Sequence, residues 1–145
     1  MKRRSSALWK GNGTEGKGSI SSTSGVLNNT PYSVNSRFVS EDGKAGTNPE
    51  ELIAAAHAAC FSMALSFVLS GAGFIPAELK TDATVTVEKV GDHWEIKSSH
   101  LDLVGDVPGI SEEKFIELAN VAKATCPVSM ALKAIEVTMN AKLKQ

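Results

Sequence analysis

Cysteine is scarce in this chain, with two in 145 residues, alongside one tyrosine, two tryptophans and five prolines. Two thiols are too few for the disulfide framework that stabilises small secreted domains. They form no C-x-x-C pair, which excludes a thioredoxin-type site. Structural zinc normally takes four ligands at recognisable Cys and His spacings, and His57, Cys60 and Cys126 are only a weak remnant of such a set. His93 and His100 show no link to either cysteine. P-loop and nucleophile-elbow patterns are missing, so nucleotide and esterase chemistry have no support. Neither charge sign is in excess. Lys and Arg number 15 against 16 Asp and Glu and are dispersed, which leaves no basic stripe for nucleic acid.

Long hydrophobic runs are also few. The basic start MKRRSSALWKGNG is followed by no apolar segment and does not read as a secretory signal. The run from Leu52 to Leu69 is long enough to raise the question of a membrane span. His57, Ser62 and Ser66 interrupt it, and no second span accompanies it, so a buried helix of a soluble, cytoplasmic protein fits better. With 42% apolar and 21% charged residues, positions 1–145 read as one globular domain able to bury a core.

The polar first third holds three β-prone stretches, 6–9, 18–22 and 31–39, and Asn28 and Asn29 mark a hairpin turn between the last two. Alternation across 31–39 puts Arg37 on a strand, facing away from Val34 and Phe38. Next comes the long helix. Asn48 or Thr47 should cap it, Pro49 should take its first position, Glu50 and Glu51 suit its positive end, and Gly71 and Gly73 should end it. Apolar and small residues cover nearly its whole circumference, so central burial is expected, with Ala54, Ala55, Ala56, Ala58 and Ala59 admitting another backbone closely. A hairpin follows, 84–90 and 93–107 around Gly91-Asp92. Ser111 then caps a helix with Phe115, Leu118, Ala119 and Ala122 at helical spacing. Pro127 starts a short helix to about Lys133, and 134–143 closes the chain as a strand. The order β-β-β-α-β-β-α-α-β is α+β.

The two cysteines carry most of the chemical information. Cys60 lies inside the apolar helix, where a small core thiol is the ordinary reading. Cys126 lies at a helix start, where backbone N–H groups and the dipole favour a thiolate or an attacked sulfur. In a reducing compartment such a pair suggests redox chemistry rather than a structural staple. Arg37 reads either as a solvated surface residue or as a fixed cation offering two parallel donors to a peroxide or carboxylate. Glu50 complements its helix dipole or holds such an arginine. Ten residues of one continuous helix separate Glu50 from Cys60 by roughly 15 Å, so this glutamate cannot touch the cysteine of its own helix. His57 shares a helix face with Cys60 and reads as a satisfied core histidine.

The stretches KGSISSTSGVLNNTPYSVNSRF, GTNPEELIAAAHAACFSMALS and CPVSMALKA resemble the OsmC/Ohr family of thiol peroxidases, over nearly the whole chain and in the family's order. The long-helix motif and the early NTPYSVNSRF look more like the OsmC branch. The resemblance implies an intertwined homodimer of α+β subunits, with antiparallel sheets wrapped around two central helices and active sites at the subunit interface. It puts the peroxidatic cysteine at Cys60, the resolving cysteine at Cys126, the catalytic arginine at Arg37 and the arginine-fixing glutamate at Glu50. It further implies organic hydroperoxide substrates, with hydrogen peroxide reduced less well, and a small or protein-bound dithiol reductant such as a lipoyl group. No metal or other cofactor is expected. A redox-sensing or ligand-binding module built on the same cysteine pair is the alternative from a different class, and a structural dimer with two inert thiols is another.

Overall fold

The computed structural model describes residues 1–144. The chain packs as two compact units, Met1–Leu52 and the remainder from Ile53 onward.

In the first unit, three short strands form an antiparallel sheet in the order β1-β2-β3: β1 (Ser5–Lys10), β2 (Lys17–Ser22) and β3 (Thr30–Ser33). Asn12 shapes the β1–β2 turn, its Oδ1 accepting from the Thr14 and Glu15 amides at 2.9 and 2.8 Å. The turn sequence GNGTEG, Gly11 to Gly16, has the G-x-G-x-x-G spacing of a dinucleotide fingerprint. It closes a hairpin instead of opening a helix, so it makes no phosphate cradle of that kind. Trp9 and Tyr32 pack with ring centroids 5.3 Å apart. Asn29, at φ 49°, turns the chain into β3, as its place before Pro31 suggested.

The expected strand 31–39 is corrected: β3 stops at Ser33, and Asn35–Val39 form a π-helical turn carrying Arg37. Serine hydroxyls divert the backbone. Ser36 Oγ accepts from the Ser33 amide at 2.9 Å and Ser33 Oγ accepts from the Ser36 amide at 3.1 Å, offering local partners in place of a neighbouring strand. Arg37 and Phe38 do not point apart either, since the guanidinium sits 4.7 Å from the Phe38 ring centroid.

The long helix α1 (Pro49–Gly71) runs from the end of the first unit into the second. Asn48 caps it by accepting from the Glu51 amide at 2.8 Å. Gly73, at φ 87°, ends it, with the Phe74 amide returning to the Leu69 carbonyl at 2.9 Å. By length and composition α1 could cross a membrane. Within the second unit, however, its stripe of Phe61, Leu65 and Leu69 is fully buried in the core. Met63 and Phe67 are 63% and 75% exposed, so the chain covers one face of the helix and not its whole circumference.

That core is completed by β4 (Glu78–Val90), β5 (His93–Asp106), α2 (Glu112–Thr125), the short α3 (Pro127–Ala131) and β6 (Glu136–Leu143). Leu101 and Leu103 of β5 and Phe115, Leu118, Ala119 and Ala122 of α2 meet the α1 stripe. The spacing within α2 and the Ser111 cap, which accepts from the Lys114 amide, follow the sequence expectation. The second sheet has the order β4-β5-β6. β4 and β5 pair antiparallel about Gly91-Asp92, but β6 pairs parallel to β5. An all-antiparallel arrangement is therefore corrected to one antiparallel and one mixed sheet. The α2–α3 segment between β5 and β6 is the crossover that a parallel pairing requires.

Gly105 of β5 sits directly beneath the Phe115 ring. A Cβ there would lie 2.4 Å from Phe115 Cζ, closer than real contacts allow. Gly105→Ala is therefore expected to destabilise the fold by about 1–3 kcal/mol through overpacking. Denaturant unfolding checks this, and an unchanged midpoint would contradict the close packing of β5 on α2.

Candidate functional site

The sequence-predicted residues gather as two pairs, one in each unit. In the first unit, Arg37 and Glu50 form a bidentate ion pair. Arg37 Nη2 donates to Glu50 Oε1 at 2.6 Å, and Nε lies 3.2 and 3.1 Å from the two carboxylate oxygens. The Glu50 side chain is 9% exposed and that of Arg37 34%, so the carboxylate is the more deeply held partner. Arg37 Nη1 stays outside the pair.

Local hydrogen bonds explain the meeting. Ser36 is buried and donates from Oγ to the Thr47 carbonyl at 3.0 Å, tying the π-helical turn to the segment that starts α1. The Thr47 amide donates to the Pro31 carbonyl at 3.0 Å, which fixes that segment against β3. Glu50 follows two residues after the Asn48 cap, so its position is set by the helix start.

In the second unit, Cys60 and Cys126 are both free thiols, Cys60 partly exposed and Cys126 fully buried. The two sulfurs are close enough that each shifts the other's ionisation. Cys60 opens onto a mainly apolar groove of about 360 Å³, lined also by Met63, Ala64, Phe67, Val68, Thr125 and Pro127. Burial pushes the Cys60 thiol above its ordinary pKa, and Cys126 adds to the rise while the Val128 N–H opposes it. Burial would raise Cys126 as well, but the nearby Ser129 amide and hydroxyl, Cys60 thiol and Val128 amide outweigh it and hold Cys126 low. Cys126 is the N-cap of α3, as its place before Pro127 suggested. Its sulfur completes no well-aligned capping bond, so the α3 amides act on it as directed dipoles.

His57 is fully buried one turn before Cys60, with both ring nitrogens engaged. Nδ1 lies 2.7 Å from Ser99 Oγ, and Nε2 lies 2.8 Å from Ser129 Oγ. Burial lowers its pKa, which keeps the ring neutral. With both nitrogens committed to hydroxyls, His57 is not arranged as a zinc ligand alongside the thiols. Among the described residues, no three His, Cys, Asp or Glu side chains gather as a metal set. Ser99 and Ser129 were not foreseen. They lie 42 and 72 positions from His57, and no local pattern marks them. His93 and His100 serve elsewhere, bonding to Glu95 and Thr138.

Residues 41–140 match the family model described as OsmC-like protein. The chain is 49% identical over 142 residues to Peroxiredoxin OsmC of Escherichia coli (strain K12), covering 98% of this chain and 96% of that protein. It is 32% identical over 127 residues to the organic hydroperoxide resistance protein OhrB of Bacillus subtilis (strain 168), covering 86% and 89%. The crystal structure of OhrB of Bacillus subtilis superposes with a TM-score of 0.70 at 27% identity, covering 97% of this chain and 98% of that one. An OsmC structure from Legionella pneumophila, 21% identical with a TM-score of 0.74 and 96% of each chain covered, shares the fold.

The Arg37–Glu50 geometry has a measurable consequence. Arg37→Ala strands a mostly buried carboxylate and is expected to cost about 1–3 kcal/mol of stability. Adding Glu50→Ala should then cost little more, giving a coupling of about 1 kcal/mol or greater in a double-mutant cycle. Additive losses would contradict the bidentate contact.

Proposed function

This chain belongs to the OsmC-like protein family, and on that premise we propose that it is a thiol peroxidase whose two working sulfurs are Cys60 and Cys126. The observation that carries the reading is the proximity of two thiols that shift each other's ionisation, with Cys60 on the wall of an apolar groove. The Cys60 thiolate attacks the distal oxygen of a hydroperoxide, the O–O bond breaks, and an alcohol leaves while Cys60 becomes a sulfenic acid. Cys126 condenses with the sulfenic acid, forming a disulfide and water. An external dithiol then reduces the disulfide by thiol exchange. The apolar lining favours organic hydroperoxides over hydrogen peroxide, and a small dithiol such as a lipoyl group as reductant. The names of the peroxiredoxin and hydroperoxide-resistance relatives support the same substrate class.

Cys60 needs a cation. Burial raises its pKa, no lysine or arginine is near it in sequence, and its mid-helix position gains little from the dipole. The proposed source is Arg37, oriented by Glu50 and supplied across the interface of a homodimer. The exposed Met63 and Phe67 beside Cys60 support a second subunit covering this face of α1. The thiols suit a reducing, cytoplasmic setting.

Cys60→Ser should abolish peroxidase activity. Cys126→Ser should keep one peroxide-dependent turnover and accumulate a sulfenic acid that dimedone traps. Full steady-state turnover by Cys60→Ser would overturn the assignment. Stoichiometric oxidation without sustained turnover on any dithiol would favour a redox sensor. In the Cys126→Ser background, Arg37→Ala should lower the Cys60 thiolate fraction at neutral pH by about tenfold, with Arg37→Lys restoring only part. Thiolate absorbance followed against pH checks this, and an unchanged titration would mean that another group activates Cys60.

A further inference from the structure

The proposed cycle makes no use of His57, although it is fully buried beside the reacting sulfurs. A histidine that only fills a core is satisfied by any partner that fixes its ring, commonly a backbone carbonyl or a carboxylate. Here both partners are hydroxyls, Ser99 at 2.7 Å from Nδ1 and Ser129 at 2.8 Å from Nε2. A hydroxyl can donate or accept, so neither serine pins the tautomer. Ser129 is the third residue of α3 and Cys126 is the N-cap of that helix, a spacing at which the two side chains share the first turn, and the Ser129 hydroxyl is one of the groups that lower the Cys126 pKa. The four side chains thus lie in buried succession, Ser99–His57–Ser129–Cys126, leading towards the sulfur.

One polarity of this succession suits a thiolate. Ser99 donates to Nδ1, Nε2–H donates to Ser129 Oγ, and the Ser129 hydroxyl donates to Cys126 Sγ. Every donor then points towards the sulfur, and the ring stays neutral, as its burial requires. Ser129 is free to turn its hydroxyl to the sulfur when Nε2 carries the proton and donates to Ser129 Oγ, because a hydroxyl spent on Nε2 could not also donate to Cys126.

We propose that His57, acting through Ser129, is a positioning residue for Cys126 that speeds closure of the Cys60–Cys126 disulfide; this rests on the peroxidase reading above. In that step Cys126 loses its thiol proton and its sulfur attacks the sulfur of the Cys60 sulfenic acid. The S–S bond forms and the S–O bond breaks. The departing hydroxide takes up one proton, matching the one Cys126 releases, and leaves as water. The Ser129 donor stabilises Cys126 as the attacking thiolate. In the reductive half of the cycle it stabilises the same sulfur as a leaving group.

The test separates the two oxidative steps by rapid mixing with one equivalent of cumene hydroperoxide. In Ser129→Ala and His57→Leu, Cys60 sulfenic acid should form within about twofold of the wild-type rate, while disulfide closure slows about tenfold or more. Ser129→Thr, which keeps the hydroxyl, should restore closure. His57→Gln, which can return an N–H to Ser129, should restore part of it. In a Cys60→Ser background, the Cys126 thiolate absorbance should titrate at higher pH in Ser129→Ala and His57→Leu, a change that looser packing alone would not produce. Closure at the wild-type rate in both variants would overturn the inference. So would an equal fall of both steps that neither Ser129→Thr nor His57→Gln repairs. A wild-type protein that forms neither sulfenic acid nor disulfide would instead remove the peroxidase reading itself.

Discussion

The proposed chemistry depends on bringing the middle of one long helix against the start of a short one, so that two thiols far apart in sequence act on each other's ionisation. Cys60 is placed by α1, whose Phe61, Leu65 and Leu69 stripe is locked into the core by β5 and α2. Cys126 is placed by the end of α2, whose buried Phe115, Leu118, Ala119 and Ala122 pack into the same core. The sulfur pair is therefore held by hydrophobic packing on both sides.

Within that arrangement the two sulfurs face different surroundings. Cys126 has the amides of α3 and the Ser129 hydroxyl, which lower its pKa despite complete burial. Cys60 has an apolar groove and a raised pKa. The proposed attack by Cys60 from such a place requires a charge from elsewhere. The Arg37–Glu50 pair has the form of a pre-set cation, since two guanidinium nitrogens are spent on orientation and Nη1 lies outside the pair. Holding a guanidinium in advance lowers the ordering cost when substrate arrives.

Much of this was legible in the sequence where local rules act alone. The Asn48 and Ser111 caps, the Gly91-Asp92 turn, the buried spacing of α2 and the position of Cys126 before Pro127 all follow from short-range chemistry. The 31–39 segment did not follow, because apparent alternation gave way to the reciprocal Ser33–Ser36 bonds. The parallel direction of β6 was hidden too, since alternation reports that a strand exists and not which way its neighbour runs. The partners of His57 were beyond reach for a third reason: Ser99 and Ser129 become its neighbours only after β5 and α3 pack on α1. Of the candidate site, the residue types were readable, and the family resemblance supplied the roles of Arg37 and Glu50. The Arg37–Glu50 contact is now visible as a bidentate pair.

The central claim is that a hydroperoxide drives these two sulfurs into one bond. The most direct measurement is peptide mass mapping, without reduction, of protein treated with one equivalent of an organic hydroperoxide and then alkylated. The peroxidase reading predicts a peptide carrying Cys60 joined to one carrying Cys126, lighter by two hydrogens than their sum, and reversed by a dithiol. Recovery of both cysteines as alkylated thiols, or of Cys60 over-oxidised while Cys126 remains a thiol, would contradict it.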